Sequence, residues 1–294
     1  MQPNFFIVGG SRCGTTNMSY YLNEHPQVFI PYGLSEPYYF ARLDIPDNFK
    51  RESMIRDYKK YLALFKKANN HRAVGEASSV YLSCPHSASE IKKAFPNSKI
   101  IISVRNPIER AHASYFSYKF MKLDKRSFTE MLDWHENKIK NNEFFIDSIL
   151  ESGFYSKHIK RFQENFSTDK IKIIIFEEYV KNIIPTINSI LAFLGIDEKI
   201  EFDEQSKGAY RVPKNKIAKL LLENATFRKT ATKLIPTITR QNIGDKYFVK
   251  QTKKPPMLQQ ERERLKKIYE SEVRELEILL GKKLPWDDFY VKYD

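Results

Sequence analysis

The feature that most restricts how this chain can fold stands at its start, where the almost wholly apolar run Asn4-Phe5-Phe6-Ile7-Val8 meets Gly9 and Gly10. A short strand without polar alternation has no face to show water, so the run predicts a strand covered on both sides, as in a parallel sheet. The glycines end it. Beyond the turn, Thr16 to Asn23 carries Met18, Tyr20, Tyr21 and Leu22 with no breaker, which predicts strand, glycine turn, helix. Such a turn aims backbone N–H groups and a helix N-terminus at an anion.

The layout recurs along the chain. Lys99 to Val104 (KIIISV) follows a helical stretch, Ser87 to Phe95, and precedes a helix beginning near Pro107. Ile171 to Phe176 (IKIIIF) leads into a helical pattern that runs to Leu194 and stops at Gly195. Buried strands alternating with helices imply right-handed crossovers. The expected fold is therefore α/β, a P-loop-type three-layer α/β/α arrangement with a mostly parallel central sheet, whose ligands bind at the carboxyl ends of the strands. Phe128 to Phe166 reads as amphipathic helix broken around Gly153. Gln251 to Pro256 reads as a Lys-Pro linker into a long helix with Leu265, Ile268, Tyr269, Val273, Leu276, Leu279 and Leu280 at helical spacing. At 294 residues and 41% hydrophobic content the chain fits one domain spanning residues 1–294.

The turn Gly9-Gly10-Ser11-Arg12-Cys13-Gly14-Thr15-Thr16 matches the phosphate loop G-x-x-x-x-G-K-[ST] except that Thr15 stands where the lysine belongs. Ser11, Arg12, Cys13, Gly14, Thr15 and Thr16 are the candidate anion contacts. A loop that keeps the amide cradle but moves its cation to Arg12 suits a donor with one phosphate carrying a transferable group. The missing lysine, and the missing downstream magnesium carboxylate, argue against a P-loop kinase or nucleotidase. Arg105-Asn106-Pro107 follows the second buried strand directly, which places a guanidinium at a strand's carboxyl end and Pro107 in a helix's first turn.

The formal net charge of +13 attracts anions without choosing among a nucleotide, an acidic polysaccharide, a nucleic acid and a membrane face. No nucleic-acid recognition module is readable. No window approaches the ~18 apolar residues of a membrane span, and Met1 to Gly10 lacks a signal-peptide layout, so a cytoplasmic location is expected. Cys13 and Cys84 cannot build a disulfide framework. No His/Asp cluster at ligand spacing suggests a metal.

These motifs resemble the sulfotransferases that use 3′-phosphoadenosine 5′-phosphosulfate (PAPS). Arg12 to Thr16 is like the phosphosulfate loop of the protein-tyrosine and bacterial branches. His25-Pro26 with Ser35-Glu36-Pro37-Tyr38-Tyr39-Phe40 is similar to the family's HP…KEPHFF stretch, and Gly75 to Leu82 to a strand end. Phe95 to Ile100, Gly153-Phe154-Tyr155, Phe193-Leu194-Gly195 and Lys254 through Trp286 match later landmarks.

The resemblance implies that Arg105, with a hydroxyl eight residues on, binds the 3′-phosphate. That position is Ala113, so neighbouring Ser114 is the candidate. It implies Glu36 as the base, in a setting where Pro37, Tyr38, Tyr39 and Phe40 can exclude water. Arg12 would steady the leaving phosphate. Arg110 is expected to cap or pair locally. Two family lysines are absent, at Ser35 and Ala77, and Lys207, Tyr210 and Arg211 are the candidate substitutes over the nucleotide. The acceptor is expected to be a carbohydrate hydroxyl. The competing reading is a protein that keeps the PAPS pocket, binds acidic glycan and does not turn over.

Overall fold

Strand β1 (Phe5–Gly9) is buried along its whole length. In the computed structural model it is the middle of a five-stranded sheet with β2 (Val28–Phe29), β3 (Ala73–Ala77), β4 (Lys99–Val104) and β5 (Ile171–Ile175), in the order β2-β3-β1-β4-β5. Every pairing is parallel. The structure describes residues 1–31, 36–45, 54–120, 124–141, 143, 148–199, 211–215, 247, 249–251 and 254–290.

Alternation along β1 explains the layers. Phe5 and Ile7 join one core with Met18, Tyr21 and Leu22 of α1 (Thr15–Asn23) and Ile187, Ile190, Leu191 and Leu194 of α8 (Ile183–Leu194). Phe6 turns the other way, 5.7 Å from the Phe40 ring and 5.8 Å from Phe95. Also on the chain are α2 (Tyr58–Ala63), α3 (Ser87–Ala94), α4 (Pro107–Phe120), α5 (Phe128–Lys140), α6 (Tyr155–Asn165), α7 (Phe176–Lys181) and α9 (Gln259–Leu280). Helices flank the sheet in a three-layer α/β fold, as the apolar strands predict.

The chain divides into two compact units, residues 1–204 with 257–294 and residues 205–256. The second contains an antiparallel pair, β6 (Arg211–Pro213) with β7 (Val249–Gln251). Gln251, read from sequence as the start of a linker, ends a strand instead. The single helical pattern up to Leu194 is two helices, α7 and α8, parted at Asn182. Pro185 supplies the reason, since proline is tolerated in a helix's first turn and breaks its interior. Strand β2 escapes the sequence reading because two residues carry no periodicity.

The strand order sets up the site. From β1 the chain goes out to the edge strand β2, returns through β3 beside β1, then crosses to β4 on β1's other side. The crevice at the carboxyl ends of β1 and β4 is the place where such a sheet receives a ligand. Gly9 lies opposite Ser103 there, and Ile7 opposite Ala77 on β3.

Candidate active site

The turn after β1 is held at both ends. Gly10 N–H donates to Ser103 O at 3.2 Å, and the Ser103 hydroxyl donates to Cys13 O at 2.6 Å. Gly9 must be glycine, because a Cβ there would sit 2.7 Å from Ser103 O. Gly14, at φ 83°, takes the left-handed conformation that lets α1 begin, and a Cβ on it would lie 2.9 Å from the Phe176 ring. Arg12 is also left-handed, at φ 74°, which costs an L-residue about 1–2 kcal/mol. Strain of this kind persists where surrounding structure imposes it. The Cys13 N–H closes the turn on Gly10 O at 3.0 Å, and the first-turn N–H groups of α1 that follow have no carbonyl ahead of them in the helix.

The sequence-predicted contacts differ in access. Arg12 and Thr16 are exposed and Ser11 and Gly14 half-buried, while Cys13 and Thr15 are buried. Burial pushes the Cys13 thiol up to about 11, so it is no nucleophile near neutral pH. Crowding by protein, then the Arg105 charge, hold Arg12 below the ordinary guanidinium pKa, and Glu36 acts in the opposite sense.

Arg105 emerges from β4 beside this turn. Its Nη1 donates to Arg12 O at 3.1 Å and its guanidinium lies 4.5 Å from the Phe176 ring centre. Its buried Nε has no partner in the protein, an orphan donor of the kind an anion satisfies. The Arg105 backbone is clasped by Tyr155, whose hydroxyl donates to Arg105 O at 2.8 Å and accepts from Arg105 N–H at 3.4 Å. Asn106 caps α4, accepting Ile108 N–H at 3.0 Å, and is itself held by Glu177 Oε1 and Asp288 Oδ2 at 3.0 and 2.8 Å.

Glu36 stands across the crevice, half-buried, with Oε1 accepting Ser79 N–H at 3.1 Å. Arg12 lies within range of the Glu36 charge. Behind Glu36 lies a second carboxylate, Glu76 on β3, only 1% exposed. Burial pushes its pKa up to about 7, against the hydroxyls of Tyr61, Ser78 and Tyr81, which hydrogen-bond to it.

Other expectations fare differently. Ser114 is buried on α4 and its hydroxyl accepts from Arg110 Nη1 at 3.4 Å. Arg110 does not cap or pair at the surface as expected. It is fully buried, donates through Nη2 to Ile149 O, and its Cδ lies 3.1 Å from where a Cβ on Gly10 would be. Tyr210, Lys207 and Ser35 lie outside the described residues. Arg211 begins β6, and its side chain lies outside them too. Tyr155, Glu76, Ser103 and Glu177 carry no site signal in the sequence, although Tyr155 and Glu76 fall in landmarks that the family resemblance marks. None of the helices among the described residues is long and apolar enough to cross a membrane.

Comparison with known proteins identifies the family and the fold. The crystal structure of a sulfotransferase from Alicyclobacillus acidocaldarius matches with a TM-score of 0.72 and 27% identity, over 97% of this chain and 98% of that one. Membrane-associated sulfotransferase kil1 of Dictyostelium discoideum is 32% identical over 124 residues, covering 42% of this chain and 25% of its own. The bifunctional heparan sulfate N-deacetylase/N-sulfotransferase 1 of Caenorhabditis briggsae is 25% identical over 67% of this chain and 23% of its own. Carbohydrate sulfotransferase 15 of Mus musculus is 22% identical, over 69% and 45%. The chain thus spans less than half the length of these curated relatives. A model of the sulfotransferase family matches residues 3–200. Glycine turn, strand-end arginine, fold and family match agree, and the chain belongs to the sulfotransferase family.

Proposed function

We propose that the protein transfers a sulfuryl group from PAPS to a hydroxyl of a carbohydrate acceptor. The observation that carries this reading is the pair of anion sites at the ends of adjacent strands, the glycine turn after β1 and Arg105 after β4, joined by the Arg105–Arg12 hydrogen bond. One nucleotide with phosphates at both its 5′ and 3′ positions matches a glycine turn and an arginine held side by side. The unpartnered, buried Nε of Arg105 fits that ligand. The family resemblance adds Ser114 to the nucleotide side of this proposal.

The chemistry follows from the placement. When bound, PAPS supplies an electrophilic sulfur whose bond to the 5′-phosphate oxygen must break. Glu36 takes the proton of the acceptor hydroxyl as its oxygen bonds to sulfur. The bridging oxygen leaves with the nucleotide, and the turn amides and Arg12 face the charge that grows there. Little covalent work falls to the protein, so catalysis is positioning and electrostatics, as in phosphoryl transfer. A carbohydrate acceptor is supported by the relatives named for heparan sulfate and carbohydrate sulfation.

The test is calorimetric titration with 3′-phosphoadenosine 5′-phosphate (PAP) in EDTA, with ADP and AMP as controls, followed by transfer of ³⁵S from labelled PAPS to a panel of desulfated glycans. Binding that requires the 3′-phosphate, and label in a glycan, are the expected results. Equal affinity for PAP and ADP would remove PAPS as the donor.

A further inference from the structure

Glu76 is too deeply buried to meet an acceptor, yet its carboxylate is the meeting point of three hydroxyls. Tyr61 donates at 2.7 Å, Ser78 at 2.9 Å and Tyr81 at 3.1 Å. A buried carboxylate with this many donors organises them, because each donor would be left unsatisfied if it turned away.

Each of the three leads to the same short segment, Glu36 to Ala41. The Tyr81 oxygen, while donating to Glu76, accepts Phe40 N–H at 3.2 Å. The Tyr61 ring stacks on Tyr39 at 4.7 Å and meets Phe40 edge-on at 5.3 Å. Ser78 precedes Ser79, whose N–H is the donor to Glu36 itself. On the other side, Ser78 N–H donates to Ile7 O at 3.1 Å, which ties the same turn to β1 just ahead of the phosphate loop.

Glu36 belongs to no regular element. It precedes Tyr38, which is left-handed at φ 57°, and a 3-10 turn, Tyr39–Ala41. Such a segment has no ladder of its own to hold it, so its placement comes from what it packs on. From these contacts we propose that Glu76 is a positioning residue, which through Tyr61, Ser78 and Tyr81 fixes the Glu36–Ala41 segment so that the Glu36 carboxylate faces the Arg12 turn. The inference rests on Glu36 being the base of the proposed reaction.

The test uses the full chain with Glu76→Gln, which keeps the side-chain volume, Glu76→Asp, which keeps the charge, and Tyr81→Phe, which removes only the hydroxyl over Phe40. Hydrogen exchange by mass spectrometry reads the segment directly. The expected result is exchange about tenfold or more faster in peptides covering residues 36–41 and 78–82 of Glu76→Gln and Tyr81→Phe, with residues 9–16 unchanged. PAP affinity stays within about twofold of the parent. The kcat for ³⁵S transfer from PAPS to desulfated heparan sulfate falls about tenfold at unchanged PAPS KM, and is partly restored in Glu76→Asp.

Unchanged exchange at residues 36–41 would overturn the proposal. So would loss of PAP binding, exchange protection and melting temperature together, which marks a purely structural carboxylate. If the parent protein neither binds PAP nor transfers label, the sulfotransferase reading fails, and the exchange arm still decides whether Glu76 positions the segment.

Discussion

The Nη1 of Arg105 donates to the carbonyl of Arg12 at 3.1 Å, so the strand-end arginine and the phosphate turn are one unit rather than two neighbouring motifs. Arg105→Ala therefore removes a cation and loosens the turn together. We expect PAP affinity to fall about 10–100-fold, the range for a lost charge-assisted hydrogen bond. Arg105→Lys should rescue little, since a lysine cannot reproduce the fork or the stacking over Phe176. Calorimetry on both variants checks this.

Arg12 combines backbone strain with a proposed role in the reaction. Arg12→Gly relieves the left-handed backbone at φ 74° and should leave the fold as stable or up to about 1 kcal/mol more stable. Turnover should nevertheless fall about 100-fold or more, because the cation at the leaving oxygen is gone. Thermal unfolding and ³⁵S transfer from PAPS, measured on the same preparation, would show stability and activity moving apart. Parallel losses would mean that Arg12 serves the fold.

Glu36→Gln retains an oxygen for the Ser79 amide, so the segment should stay docked. Transfer should drop below detection while PAP still binds as tightly as to the parent. Full activity would remove Glu36 as the base and favour a different proton acceptor.

Glu272 of α9 offers a test of burial by pH. Ser156 N–H and the Ser156 hydroxyl both donate to it at 2.7 Å, and burial pushes its pKa up to about 7 from the ordinary 4.5. The folded state then holds a proton that the unfolded chain releases in this window, so the group's contribution to stability falls as pH rises from about 4.5 to 7. His135 and His158, pushed down to about 3 chiefly by burial, act in the opposite sense, with stability lost as pH falls below the ordinary 6.5. The difference between parent and Glu272→Gln isolates the carboxyl. Denaturant unfolding at pH 5 and pH 7.5 should show the parent losing stability relative to the variant at the higher pH. A pH-independent difference would contradict the raised pKa.

Much of the site is legible in the sequence because it is local. Strand, glycine turn and helix follow one another within Phe5 to Asn23, and Arg105 comes directly after β4, so spacing alone predicts where the turn and the strand-end arginine stand. What escapes the reading has its partner far along the chain. Tyr155 is 50 residues from the Arg105 backbone it clasps, and Ser103 is 90 from the Cys13 carbonyl that it holds. Arg110 reads as one more charged helix residue until its burial is seen.

The amino-acid sequence by itself determined the strand–turn–helix frame, the parallel sheet and the places of the glycine turn and Arg105 at strand ends, because backbone geometry and apolar burial act over a few residues. The tertiary structure alone decided which side chains surround them. Glu76 gathers Tyr61, Ser78 and Tyr81, and Glu36 finds the Ser79 amide, only after β1, β3 and β4 pair. A hydrogen bond between residues so distant in the chain carries no pattern until packing has met the entropy of bringing them together.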